Sequence, residues 1–530
     1  MCGIAVAIDW EGAESAVRQL VAGILHRGDI TDPVISPRRS TAMCTRRLRI
    51  VDGEQAVQPQ VSSDGRLLVL FNGEIYNHAE LRAELVQLGV PFKTESDTEV
   101  LAAALQTWGI SALQRLVGMY AFVAVDAASG DFLAARDPFG VKPLYLINSG
   151  TGYLFCSEIR PLLSASETGD VLLLPPGYLL TRTHCLPYAS ALAASFSPSL
   201  SDRGEDLDRL LSEAVYTRLP PGLPAAILFS GGIDSTLITH YARRFRPETP
   251  GYFLGGRGAP DYDYAVRYAD QTSLDLRLVP FSPQGAETTA LIDDIVATTE
   301  SFEPSVIRGG LCSFLVARAI HADGFRVALC GEGADELFCG YRPLEVAFAE
   351  GRDFGDPIRQ QCLSLMHRTS LQRVDRCSMR FQLETREPFL DPSIVRYAMA
   401  LDAAALVKNV HGEPMGKMPL RQLYDLYPDQ LPRSIRDRQK IPFNEGTGFD
   451  VSQNESPWLT LAETTISDSE LADGKREFAP FGVTTKEELL YIRKLAQHMD
   501  ISRVPHLCGR ATIQFPRISR IMDKLKAYAA

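Results

Sequence analysis

The chain has 530 residues, 45% hydrophobic and 22% charged, with a formal net charge of −11. That length exceeds what one hydrophobic core organises, so two or more domains are expected. The acidic balance disfavours nonspecific binding to nucleic acid or anionic membrane, and apolar runs such as LLVLF and VLLLP are strand-sized, not membrane-spanning.

No charged segment followed by an apolar stretch opens the chain, so export is not expected and a cytoplasmic enzyme is. The ten cysteines are scattered without a C-x-x-C pair, the pattern of reduced thiols rather than of a disulfide framework or zinc site. The nine histidines form no ligand-spaced cluster. Arg38, Arg39, Arg46, Arg47 and Arg49 make one basic patch that reads as a solvated face or an anion site.

In chain order, the first part alternates short strand-like segments with turns. MCGIAVAIDW sets Cys2 and Gly3 before an apolar run; LLVLFNGEIYN, AFVAVDAASGDFLAARD and GYLFCSEI mix β-branched or aromatic residues with Gly, Asn or Asp breaks. HAELRAELVQLG and DTEVLAAALQTWG read as helices ending at glycine, the second starting at an acidic cap. These features predict an α+β domain rich in antiparallel sheet. SFSPSLSDRGED then reads as a linker.

Beyond it, helices alternate with short buried strands: EDLDRLLSEAVYTRL (helix), LPAAILF (strand), DSTLITHYARRF (helix), TPGYFLG (strand). Helical ETTALIDDIVATTE and LCSFLVARAIHADG follow, and then strand FRVALC. Such alternation predicts a parallel sheet covered by helices. The last hundred residues read as helical and polar, with breakers in FNEGTGFD.

Between strand AAILF and its following helix stands LFSGGIDST, residues 228–236. Two glycines, Gly231 and Gly232, let backbone approach a ligand, and the helix N-terminus offers N–H groups to an anion. Ser230 and Ser235 add hydroxyl donors. Asp234 would repel bare phosphate, which suggests Mg²⁺ between carboxylate and phosphate oxygens. No Lys follows the glycines, so this is not a Walker A loop; it resembles the PP-loop of ATP pyrophosphatases. A second acidic segment, CGEGADELFCGY, follows the strand FRVAL. Both loops should face one cleft beyond the carboxyl ends of parallel strands. Glu332, Asp335 and Glu336 would be costly together there without a cation or a catalytic need.

MCGIAVAI, HRG, RLRIVDG, FNGEIYN, SDTE and RDPFGVKPLY, followed by SGGIDS, GEGADE, DRCSM, REPFLD and RQKIPF, stand in this order along most of the chain. Together they resemble the asparagine synthetase B family. The resemblance implies an N-terminal class II glutaminase of the Ntn-hydrolase fold, an α/β/β/α sandwich of antiparallel sheets, over residues 1–195. Over 205–530 it implies a PP-loop synthetase of parallel α/β type with extra helices. Cys2, freed by removal of Met1, would attack glutamine, with Asn72 and Gly73 as oxyanion hole. Arg47, Ile50, Val51, Glu74 and Asp97 would help bind glutamine. Leu228, Ser230, Gly231, Gly232, Asp234, Ser235, Gly331 and Glu332 would bind ATP, with Mg²⁺ on Asp234 and Asp335. Glu332 would act as base, and Lys440 would neutralise the phosphates. Glutamine would supply ammonia, ATP would adenylate a carboxylate, and ammonia would displace AMP. The implied acceptor is aspartate, and a protected tunnel would carry the ammonia; a homodimer is the expected assembly.

Near the expected acceptor pocket the match departs. Residues 305–310 read SVIRGG where the family resembles TTIRAS, keeping Arg308. LETREPFLD carries Glu387 where LEVRVPFLD has an apolar residue. A new carboxylate there repels an anionic acceptor or recruits a cationic one, so a different carboxylic acid is the alternative acceptor, with Arg308 and Glu387 as its candidate contacts.

Overall fold

The computed structural model describes residues 2–50, 55–189, 204–282, 286–450 and 456–508. Most of the expected linker, and with it the boundary between the expected domains, lies outside the described residues.

Strand Cys2–Ile8 is central to the first sheet because its side chains split cleanly by face. Ile4, Val6 and Ile8 point into a core shared with a second sheet. Ala5 and Ala7, small enough to let a helix lie close, face helix Ala13–Gly23. The first sheet is antiparallel throughout and runs in the order Val171–Leu173, Tyr145–Asn148, Tyr153–Cys156, Cys2–Ile8, Thr41–Arg47, Ile30–Thr31. The second, also antiparallel, runs Cys185–Pro187, Tyr178–Leu180, Phe132–Arg136, Gly118–Asp126, Leu67–Ile75, Gln60–Val61. Helices His78–Gln87 and Asp97–Trp108 cover its outer face. The result is the expected helix–sheet–sheet–helix sandwich. The second of these helices is capped by Ser96, whose side chain accepts from Thr98 N, rather than by an acidic residue.

The second half holds a five-stranded parallel sheet in the order Leu276–Val279, Gly251–Leu254, Ala225–Leu228, Val327–Leu329, Glu384–Arg386. Ala225 and Ile227 face a core with helices Glu205–Arg218 and Ile233–Phe245. Ala226 faces the opposite core, with helix Pro304–Ala322. Two elements differ from expectation. That last helix begins at Pro304, so SVIRGG is its first turns, not a separate segment. The strand Glu384–Arg386, polar along its length, carries no hydrophobic signal, yet it is fully buried. Among the described residues no helix is long and apolar enough to cross a membrane.

Buried ion pairs join the halves. Arg376 bonds Glu158 and Glu300 at 2.9 Å each, and Arg27 bonds Glu158 and Asp375 at 3.0 Å each. Glu300 also accepts from the backbone N–H groups of Ile159 and Arg160. Arg49, expected to be solvated, instead pairs with Asp29, which also takes Arg326 from the second half. Removing one partner of a buried pair strands the other charge. Arg376→Ala is therefore expected to lower unfolding free energy by about 3–5 kcal/mol, read by urea denaturation. A loss within about 0.5 kcal/mol, the scale of an ordinary surface substitution, would contradict that role.

Candidate active site

Cys2 pairs in register with Arg47 at the end of its strand, beside the NGE segment of the second sheet. Its backbone nitrogen donates to Asn72 Oδ1 at 3.0 Å, and its carbonyl accepts from Arg27 Nε at 3.3 Å. The thiol is 6% exposed and lies 3.9 Å from Gln58 Nε2. Burial pushes it up to about 11, so it rests as a thiol and needs a base to become a nucleophile. Asn72 Nδ2 is buried without a hydrogen-bond partner among the described residues, a donor awaiting an acceptor. Gly73 has no room for a side chain, since a Cβ would lie 2.1 Å from Met119 O on the neighbouring strand.

Of the other expected glutamine contacts, Arg47 is the cross-strand partner of Cys2. Arg47 is buried and held by Asp32, Nε to Oδ2 at 2.9 Å and an Nη to Oδ1 at 3.0 Å. Asp97 Oδ2 accepts from Ile75 N at 3.0 Å, and burial pushes the carboxyl up to about 6. Burial likewise pushes Glu74 up to about 7, despite Arg386 at 2.9 Å from its Oε2. Ile50 packs with Leu48 and Met379; Val51 lies outside the described residues. Gln58, Asp32 and Arg27 were not singled out from sequence. Gln58 Oε1 accepts from Phe71 N, its N–H donates to Asp32, and its amide reaches the thiol, so it ties three site elements together.

The second site is a cavity of about 850 Å³ at the carboxyl ends of the parallel strands. That size suits a nucleotide with a small partner. Leu228, Ser230, Gly232, Asp234, Ser235, Gly331, Glu332, Asp335 and Lys440 all line it; of the expected ATP contacts only Gly231 does not. Gly231 has φ +70°, the left-handed turn that hands the strand to the helix, with Ala265 packed close behind. Ser235 Oγ takes the Ser230 N–H at 3.1 Å and keeps the loop closed.

Electrostatics there centre on a residue sequence reading missed. Lys417, 2% exposed, sets its Nζ 2.6 Å from Asp234 and 2.5 Å from Asp335, while Lys440 Nζ lies 2.8 Å from Asp335. Burial raises both carboxyls, but Lys417 and Lys440 together pull Asp335 well below the ordinary range, whereas Asp234 stays raised. Asp234 and Asp335, bridged by Lys417, are the carboxylates that would hold a divalent cation such as Mg²⁺ at this loop. Glu332 forms an ion pair with Arg373. Burial beside Asp335 and Glu332 pushes Glu336 up to about 7, and Tyr341 OH donates to it at 2.8 Å. Nothing in the GKMPLRQ context of Lys417 marks it as a site residue in one sequence.

The two acceptor candidates part company. Arg308 lines the cavity but is committed to Glu487 (2.8 and 2.5 Å) and Asp450 (3.4 Å). Glu387 does not line the cavity; it is buried behind the wall, with Oε1 3.8 Å from the thiol of Cys330, which does.

A family model described as a glutamine amidotransferase domain matches residues 1–172, and one described as asparagine synthase matches 206–358 and 348–511. A protein of Schizosaccharomyces pombe named probable asparagine synthetase [glutamine-hydrolyzing] is 30% identical, over 93% of each chain. The Saccharomyces cerevisiae protein named asparagine synthetase [glutamine-hydrolyzing] 1 is also 30% identical, over 93% of this chain and 92% of its own. One from Triphysaria versicolor is 30% identical over 93% and 85%. With both family models matching and likeness of this extent, the chain belongs to the glutamine-hydrolysing asparagine synthetase family.

Proposed function

We propose that this protein hydrolyses glutamine at Cys2, adenylates a carboxylate with ATP in the second cavity, and passes the ammonia between them to form an amide. The observation that carries the reading is the pairing of an N-terminal thiol, set against an unpartnered Asn72 amide, with a phosphate loop faced by Asp234 and Asp335. In this reading the glutaminase unit spans 1–195 and the synthetase unit 205–530. The enzyme works in the cytoplasm as a homodimer with reduced thiols, in keeping with the nine free cysteines among the described residues.

Removal of Met1 would turn the Cys2 nitrogen, now held by Asn72 Oδ1, into an α-amine titrating near ~8. That amine takes the thiol proton as sulfur attacks the glutamine carboxamide, then gives it to the departing nitrogen. The oxyanion forms against Asn72 Nδ2 and Gly73 N–H, each such donor typically worth ~2.7–4 kcal/mol. Arg47 holds the substrate carboxylate and Asp97 its ammonium, with Glu74, Ile50 and Val51 completing the pocket. Water then releases glutamate from the thioester.

In the second site the glycine loop and the hydroxyls of Ser230 and Ser235 hold the phosphates. Mg²⁺, held by Asp234 and Asp335, would supply positive charge to the phosphate oxygens. Lys417 and Lys440 stand ready to follow the negative charge as pyrophosphate separates. Glu332 takes a proton from the attacking nitrogen, and Arg373 orients it. Aspartate is the acceptor we propose, on the strength of the relatives' names. The commitment of Arg308 to Glu487 and Asp450 favours the second reading, the same chemistry on a carboxylic acid lacking a second carboxylate.

With ATP, aspartate and glutamine the protein should yield glutamate, AMP, pyrophosphate and asparagine, identified by mass. Cys2→Ala should abolish that with glutamine and retain it with ammonium chloride. Equal loss with both donors would sink the two-site reading, whereas AMP release with another carboxylic acid and none with aspartate would move the acceptor to the second reading. The raised Asp97 adds a pH dependence. A carboxyl lifted to about 6 loses its charge as pH falls through that value, earlier than an ordinary aspartate. Glutaminase kcat/KM should therefore fall below about pH 6, reporting the free enzyme; a profile flat to pH 5 would contradict the Asp97 role.

A further inference from the structure

The acidic loop GEGADE leaves one of its carboxylates unmatched. Glu332 pairs with Arg373, and Asp335 pairs with Lys417 and Lys440. Glu336 is just as buried, at 4% exposed, yet no cation meets it among the described residues. Its Oε1 accepts from Tyr341 OH at 2.8 Å, and its Oε2 has no hydrogen-bond partner there. Asp335 and Glu336 are consecutive on helix Ala334–Leu337 and project about 100° apart, so the lysines that meet one do not meet the other. Arg342, the next cation along the chain, is turned to Glu345 and Glu413. A buried carboxylate with no cation of its own is costly to keep charged, and a ligand can bring the missing charge.

Glu336 lines the 850 Å³ cavity, and two donors on the same cavity are also unused. Ser370 Oγ and Arg373 Nε are buried without a hydrogen-bond partner among the described residues. They stand three residues apart at the start of helix Ser370–Met379 and so share a face of it. Another nitrogen of Arg373 bonds Glu332, which places the two donors beside the base proposed above. Helix Arg352–Leu365 packs against the short helix of Glu336 and brings Ile358 and Cys362 to the cavity wall. An apolar wall lowers the screening of any charge held at Glu336. None of these groups belongs to the phosphate loop or to the carboxylates assigned to Mg²⁺.

One unmatched carboxylate and two unused donors are the complement of a small molecule bearing both an ammonium and a carboxylate. Resting on the adenylating function proposed above, we infer that Glu336, Ser370 and Arg373 form the acceptor subsite and that the acceptor is an amino acid. Its ammonium donates to Glu336 Oε2, and a carboxylate of the same molecule accepts from Ser370 Oγ and Arg373 Nε. The three groups bind and orient, and they add no covalent step to the reaction. Both acceptor readings narrow accordingly. Aspartate qualifies, and so does an amino acid with a single carboxylate, whereas a carboxylic acid without an amine does not.

Exchange of labelled pyrophosphate into ATP, in the full-length protein, reads acceptor adenylation without any nitrogen donor. Amino acids are compared with their deaminated counterparts: aspartate with succinate, glutamate with glutarate, β-alanine with propanoate, and leucine with isocaproate. In whichever pair the wild type adenylates, the amino acid should lead by about tenfold or more in kcat/KM, the scale of one charged hydrogen bond. Glu336→Gln should bring the two members of the pair to within about twofold of each other. Glu336→Asp, which keeps the charge, should hold the amino acid ahead. A wild type that adenylates the deaminated acid as readily overturns this inference and leaves the adenylating function standing. So does a Glu336→Gln variant that keeps the preference, or one that loses both members of the pair equally, the mark of a role in metal binding or folding. No exchange with any acid of the panel overturns the parent reading and this inference with it.

Discussion

Arg376 is the hinge on which the whole arrangement depends. It is 2% exposed, sits on a helix of the second half, and divides its guanidinium between Glu158 of the sandwich and Glu300 of its own half. A buried arginine is tolerable only when carboxylates meet it closely, so the two halves cannot slide without leaving a bare charge in a dry interior. Neighbouring Asp375 repeats the device with Arg27, and Arg27 in turn holds the Cys2 carbonyl. The position of Cys2 and the docking of the two halves are therefore set by the same few charges.

The two sites solve opposite electrostatic problems. On the Cys2 side the difficulty is lack of charge: burial lifts the thiol, Asp97 and Glu74 alike, so these groups are reluctant to ionise. In the second cavity the difficulty is excess charge: Lys417 bridges Asp234 and Asp335, and Lys440 adds a second cation to Asp335. Those lysines leave the acidic loop partly neutralised.

The strand–glycine–helix turn was legible because those elements follow one another in LFSGGIDST, and it lines the cavity at the strand ends. The acidic GEGADE loop was legible by the same strand-end rule. Cys2 had meaning only through resemblance, since an early cysteine in an apolar strand is otherwise mute. Lys417 and Gln58 were not legible, because each acts across long sequence separation; Lys417 meets Asp234 from 183 residues away. Strand Glu384–Arg386 was missed because its burial is satisfied by ions, Arg386 with Glu74 and Glu384, rather than by apolar packing. Glu387 drew notice as a misplaced carboxylate, but its place behind the cavity wall needed the fold.

The central claim is that nitrogen passes between the sites without entering bulk water. Glutamine labelled with ¹⁵N at the amide, supplied with an excess of unlabelled ammonium in the medium, tests it directly. The amide product should carry ¹⁵N at nearly the enrichment of the glutamine. Dilution of the label in proportion to the ammonium pool would contradict the account.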